Sequence, residues 1–175
     1  MSPLTWPAPV PASADGSGTH PRPPLTLTLP VEFTAFCLRY QERYLSYAQA
    51  RSLDAGRARQ TVESVLSALV VVWPSVIASD RPSRVAWKML TDQVAWALND
   101  DDQARRRWPG DAAHLALPQG QADLVLLRYR LCLSRAETAE LMGMKESEVA
   151  LELAKAINSL QTQDRHRLDA TPVFR

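Results

Sequence analysis

Lys145 and Lys155, with Arg128, Arg130 and Arg135 upstream, have the types and spacing for chemistry with a polyanion. Each can neutralise a phosphate and release its condensed counterion. Between the two lysines stand Glu146, Ser147, Glu148, Leu151 and Glu152. A carboxylate among them can accept from cytosine N4, and a hydroxyl can pair with several base edges. Three glutamates against two lysines nevertheless make this stretch a poor polyanion surface unless neighbouring arginines compensate. Catalytic chemistry finds no comparable support. There is no glycine-rich phosphate loop, no nucleophile motif and no organised acid–base pair. The three histidines lack ligand spacing, so neither a metal site nor a cofactor is expected.

The elements that would position these charges can be read from local signals. Ser134 and Glu137 have the S-x-x-E form of a capping box, which starts a helix. Ala136, Ala139 and Leu141 supply its small and apolar inner positions. Gly143 follows, where the chain can turn through a positive φ. Val149, Leu153, Ala156, Ile157 and Leu160 then recur at helical spacing and give a second helix one apolar face. Two short helices joined by a glycine turn make a helix-turn-helix, whose second helix enters the major groove by its N-terminal part. Base readers are therefore expected among Lys145, Glu146, Ser147, Glu148, Leu151 and Glu152. Phosphate contacts are expected from Lys145, Lys155, Arg128, Arg130 and Arg135. Lys145 occupies the cap position of the second helix, where a Ser or Asn would bond the backbone. A preceding helix from Pro118 carries Ala122, Val125, Leu126 and Tyr129 on one face, and the tail after Gln161 is expected to fray.

Upstream, the chain changes character twice. Residues 1–30 hold Pro3, Pro7, Pro9, Pro11, Pro21, Pro23, Pro24 and Pro30, a density that forbids helix and predicts a disordered or extended arm. From Val31, Phe33, Phe36, Cys37, Tyr40, Tyr44, Tyr47 and Ala48 share one helical face. A second helix carries Ala58, Val62, Val65, Leu66, Leu69 and Trp73 inward. Val70, Val71 and Val72 make its end apolar all round and mark it as the central helix, closing at Pro74. A third opens at Pro82 with Trp87, Leu90, Val94 and Leu98 in register. Asp100, Asp101 and Asp102 read as a solvated linker. Arg105, Arg106, Arg107 and Trp108 suit either a contact to phosphate or to a partner protein, or a soluble linker that balances the aspartates. Net charge is +1, so any nucleic-acid surface must be local. Cys37 and Cys132 lie in apolar helical contexts and read as buried free thiols of a reducing cytoplasm. The longest apolar run, Ala68 to Trp73, is far below the ~20 residues of a membrane span, and no secretory leader is recognisable.

The helix-turn-helix stretch resembles the C-terminal DNA-binding domain of RNA polymerase sigma factors of the sigma-70 family, extracytoplasmic-function type. Leu117–Pro118, Leu127–Arg128–Tyr129, Leu133–Ser134, Glu137, Ala139–Glu140–Leu141, Gly143, Val149, Leu153, Ala156 and Leu160 carry the resemblance over some forty residues. The upstream helices are similar to the N-terminal domain of the same family at Phe33, Tyr40, Leu45, Tyr47–Ala48 and Trp73. That resemblance implies a polymerase-binding surface at Arg59, Gln60, Glu63, Ser64 and Leu66. The family's acidic pair is replaced here by Arg59 and Gln60. The third helix runs into aspartates where relatives carry an arginine-rich patch for single-stranded promoter DNA.

The expected fold is all-α, with two small helical domains joined by a linker. Residues 1–30 form the arm, 31–99 a sigma-like core-polymerase-binding domain, 100–116 the linker, 117–163 a DNA-binding domain and 164–175 a tail. The resemblance implies a cytoplasmic, divergent sigma factor with core RNA polymerase and promoter DNA as partners, and an anti-sigma factor as a further one. Two other expectations stand beside it. The first is a sigma-like adaptor that binds polymerase, an anti-sigma protein or another sigma factor with little DNA binding. The second is a helix-turn-helix regulator unrelated to polymerase.

Overall fold

The structure is a computed structural model that describes residues 29–51, 54–99 and 112–169, with side chains as far as Gln163. Among these residues it is all-α, with seven α-helices and no strand. The proline-rich arm before Leu29, Asp100 to Asp102, Arg105 to Arg107 and Trp108 lie outside the described residues.

Helices α1 (Val31–Ala50), α2 (Ala55–Ile77) and α3 (Pro82–Asn99) form the N-terminal half. Their inward stripes follow the sequence period: Phe33, Phe36, Tyr40, Tyr44 and Tyr47 on α1, Val62, Val65, Leu66, Leu69 and Trp73 on α2, Trp87, Leu90 and Val94 on α3 are all buried. Aromatic rings zip the layer together. Trp73 meets Phe33 edge-on at 5.2 Å between centroids, and Trp87 lies 4.7 Å from Tyr47. Asp54 starts α2 by accepting from the Gly56 and Arg57 N–H groups at 2.9 and 3.0 Å.

Several expectations about this half need correction. α2 does not stop at Pro74 but continues to Ile77. Pro74 is exposed and stands in the last turn of the helix, where it removes a single backbone hydrogen bond. α2 is the central helix of this half, packed between α1 and α3, but its apolar end is not enclosed. Val71 is 78 % exposed, because α1 and α3 cover only the stripe through Leu69 and Trp73. By length and a hydropathy of 1.5, α2 could cross a membrane, although its longest unbroken apolar run is short. Its inner stripe instead packs between α1 and α3 as a core helix does.

The C-terminal half begins with α4 (Ala112–Ala116), a short helix inside the expected linker span. α5 (Gln119–Val125) follows and passes into a π-helical turn, Leu126–Arg130, closed by the Leu131 N–H donating to the Leu126 carbonyl at 3.0 Å. The extra residue of that wider turn rotates the following side chains. Leu127 therefore faces the core, and Tyr129, expected on the inner face, is 61 % exposed. Cys132 then reverses the chain at φ 54°, a conformation in which a non-glycine residue costs ~1 kcal/mol. It is neither helical nor buried, and Cys37 is only half-buried, where burial pushes its thiol up to about 11. α6 (Arg135–Met142) and α7 (Glu146–Asp169) complete the fold. Ala136 is exposed rather than inner, and α7 runs on to Asp169 instead of fraying from Gln161.

One buried cluster runs through both halves, with Leu124, Leu127, Leu141, Met142 and Val149 joining the residues of α1 to α3. At its edge sits a buried polar knot. Asp123, 1 % exposed, accepts from the Tyr47 hydroxyl at 2.6 Å and lies 2.8 Å from His114 Nε2. Arg51 reaches Tyr47 at 3.1 Å and Asp123 at 3.7 Å. Burial and the neighbouring carboxylate push the Tyr47 hydroxyl well above its ordinary pKa, so it remains a donor. Arg130 donates to the Ala50 carbonyl at 2.6 Å and ties the same seam.

Removing one member of a buried ionic cluster leaves its partners uncompensated. Asp123→Ala is expected to lower the unfolding free energy by about 3 kcal/mol, read from the urea midpoint. A cost within the range of an ordinary surface substitution would show that the knot does not hold the seam.

Candidate nucleic-acid interface

The helix-turn-helix is built as its local signals require. Ser134 Oγ accepts from the Glu137 N–H at 3.1 Å, and the Glu137 carboxylate accepts from the Ser134 N–H at 2.8 Å. This is the complete capping box. Gly143 ends α6 at φ 63°, ψ 38°, while the Met144 N–H donates to the Ala139 carbonyl at 2.8 Å. A Cβ on Gly143 would lie 2.4 Å from the backbone nitrogen of Arg84. Glycine is thus required twice, for the left-handed turn and for the approach of α3. α7 lacks a side-chain acceptor at Lys145, and half the box is supplied from within. Glu148 accepts from the Lys145 N–H at 2.8 Å.

Most glutamates of this unit are already paired. Arg43 donates to Glu137 at 2.8 Å, and Arg39 contacts Glu140, which also accepts from Tyr40 at 3.0 Å. Arg81 reaches Glu148 at 3.3 Å, and Lys155 reaches Glu152 at 2.7 Å. These contacts hold the carboxyl groups below their usual range. Hydrogen bonds from the Ser134 backbone and side chain lead at Glu137, the Arg39 hydrogen bond at Glu140, the Lys145 backbone at Glu148 and the Lys155 hydrogen bond at Glu152.

The expected site residues separate into groups. Lys145, Glu146, Ser147, Leu151 and Lys155 are exposed together along the open face of α7, opposite the buried Val149 and Ala156. Glu148 lies on the flank of that face and is turned toward Arg81. Arg135 is exposed at the start of α6 and makes no ion pair with a described residue. Arg128 and Arg130 do not join this face. Arg128 caps the Leu133 carbonyl at the reversal after the π turn, and Arg130 caps the Ala50 carbonyl at the end of α1 and so ties the seam. On α2, Arg59, Gln60 and Ser64 are exposed and Glu63 is half-buried. Leu66 is a correction: at 6 % exposure it packs in the core, as its place in the Val62–Leu69 stripe requires, and it cannot present a contact surface. The arginines Arg39, Arg43 and Arg81 escaped sequence reading because their partners lie 62 to 101 residues away.

With this geometry in view, comparison with known families is informative. Residues 111–165 match the family model "Sigma-70, region 4". This C-terminal segment is similar to region 4 of sigma-70 proteins. The match covers α4 to α6 and α7 as far as residue 165, and supports sigma-factor-like DNA binding by a transcription-regulatory domain rather than an enzyme. It does not extend to α1, α2 or α3. No curated protein matches the chain.

The cap and the paired glutamates give a pH expectation. A carboxylate whose folded pKa is lowered contributes in full above its unfolded value of 4.5, and loses that contribution as pH falls through the lower folded value. Stability should therefore decline from about pH 5 toward pH 3, less steeply in Glu137→Gln/Glu140→Gln than in the parent. Ser134→Ala should cost about 1 kcal/mol at neutral pH in urea unfolding. Identical acid profiles in the parent and the double variant would remove these pairs from the seam.

Proposed function

We propose that the chain is a divergent sigma factor of the extracytoplasmic-function type, acting in the cytoplasm to bring core RNA polymerase to promoter DNA. The observation that carries this reading is the open face of α7. Lys145, Ser147, Leu151 and Lys155 project from a capped helix-turn-helix within a segment that matches sigma-70 region 4. In this reading α7 enters the major groove of the upstream promoter element with its N-terminal turns. The exposed Arg59, Gln60 and Ser64, with Glu63 beside them, form the polymerase contact on α2. The N-terminal half is then the core-binding domain and the segment from Leu117 the DNA-binding domain.

A sigma-like adaptor is the second reading, in which an anti-sigma protein, another sigma factor or polymerase is the partner. It is favoured by one observation: Glu146 is exposed at the start of the recognition helix and forms no ion pair with a described residue, so it repels phosphate there.

Reconstitution with core polymerase, followed by promoter retention over a salt series, separates the two. A sigma factor gives a holoenzyme whose DNA affinity falls steeply with salt. Holoenzyme without retained DNA sinks the first reading in favour of the adaptor, and absence of polymerase binding leaves a regulator unrelated to polymerase. Lys155→Glu should weaken retention at least about tenfold at ~0.1 M salt, since it removes one cation and adds an anion. Unchanged retention would remove Lys155 from the groove.

A further inference from the structure

We infer that the DNA surface is not confined to the helix-turn-helix: the N-terminal half contributes Arg84 of α3 as a phosphate contact, with Arg81 as a positioning residue beside it. The inference rests on the DNA-binding reading and names a contact that the matched segment, which begins at residue 111, does not contain.

The first observation is proximity. The first turn of α3 abuts the turn of the helix-turn-helix so closely that a Cβ on Gly143 would stand 2.4 Å from Arg84 N and 2.7 Å from Arg84 Cα and Cβ. Arg81 reaches the Gly143 carbonyl at 3.5 Å. The base of the Arg84 side chain is therefore fixed against the residue that precedes the recognition helix by three positions. Arg84 and Lys88 also line one wall of a cleft of about 450 Å³, with Gln121 of α5, Met144 of the turn and Glu152 of α7 among its other walls. On the helical wheel of α7, Glu148 and Glu152 fall between the buried Val149–Ala156 stripe and the open Ser147–Leu151 face. The cleft thus runs along the flank of the face proposed to enter the groove, where a phosphate strand passes.

The second observation is charge that remains after pairing. Glu148 is neutralised by Arg81, Glu152 by Lys155, and Lys88 by Asp92 at 2.8 Å. Glu137 and Glu140 are taken by Arg43 and Arg39 on the far side of α6. Arg84 is exposed and forms no ion pair or side-chain hydrogen bond with a described residue. Among the described residues from Asp80 to Lys88 and from Ser134 to Lys155, Arg84, Arg135 and Lys145 are then cations in no ion pair, against the unpaired Asp80 and Glu146. A guanidinium fixed at its backbone but free at its tip suits bidentate capture of a phosphate. Arg81 acts through Glu148: it turns that carboxylate away from the approaching polyanion and toward the Lys145 N–H, so it is not itself a required contact.

The test uses the full chain and a short duplex of mixed sequence, with binding measured from ~50 to ~200 mM salt. Because a phosphate contact carries no base preference, Arg84→Ala should weaken binding uniformly across sequences. Losing one counterion's slope of ~0.9 predicts about eightfold weaker binding at ~0.1 M salt, with the salt slope reduced by about 1. Arg84→Lys should recover most of the slope, which a purely structural role for the arginine would not predict, and the helical content of both variants should equal the parent's. If Lys155→Glu weakens binding while Arg84→Ala keeps the parent's slope, this inference is overturned and the DNA reading stands. Absence of salt-dependent binding by the parent chain also overturns this inference, whereas the DNA reading itself is decided by promoter retention in the holoenzyme.

Discussion

A single carboxylate held out of water determines how the two halves meet. Asp123 sits on α5 in the C-terminal half, and its partners come from both sides of the seam: the Tyr47 hydroxyl of α1 and His114 of α4 at hydrogen-bond distance, and Arg51, just past the end of α1, as an ion pair at 3.7 Å. An ionised group in that position is tolerated only when its hydrogen-bond sites are filled, because the desolvation penalty is several kcal/mol. Apolar contacts alone would let α5 slide on α1 with little change in buried area. The knot admits one register, in which Tyr47 must lie over Asp123. Once that register is set, α1 faces α6, where Arg39 and Arg43 meet Glu140 and Glu137. The first turn of α3 comes to rest on Gly143. The exposed ion pairs are individually weak, but they follow from a position that the buried cluster has already imposed.

How much of this could be read in the sequence depended on the range of the interaction. Ser134, Glu137 and Gly143 act within a few residues of one another, and their capping box and left-handed turn formed as their types dictate. The inward stripes of α1, α2 and α3 are likewise a matter of period. Leu66 shows what happens when a resemblance competes with period. Aligned with a polymerase-contact surface, it still falls in register with Val62, Leu69 and Trp73, and its burial follows the register. Pro74 shows the limit of a local rule: an exposed proline in the last turn of a helix removes only one backbone hydrogen bond, so α2 passes through to Ile77.

What escaped the sequence falls into two kinds. The π turn at Leu126–Arg130 and the positive φ at Cys132 have no compositional marker, since a glycine would ordinarily announce such a reversal. They reassign Tyr129, Arg128 and Arg130, which a regular helix would have placed differently. The second kind is long-range pairing. Tyr47 and Asp123 are 76 residues apart, Arg43 and Glu137 are 94 apart, and nothing local to either member indicates the other.

The same distinction resolves the electrostatics of the recognition helix. Counted along the chain, three glutamates between Lys145 and Lys155 argue against a polyanion. Counted in space, Glu148 is occupied by Arg81 and by the backbone of its own helix, and Glu152 by Lys155 and Gln121. The glutamates therefore do structural work at the seam and the helix start, and the surface charge is carried by whichever cations remain. Part of that remainder belongs to α3, so the potential at the α7 face is a property of the assembled halves. Displacing α3 from Gly143 would expose Glu148 and carry Arg84 away in one movement, because Arg81 and Arg84 share the same turn. The seam that Asp123 fixes is for this reason also the element on which the sign of the candidate DNA face depends.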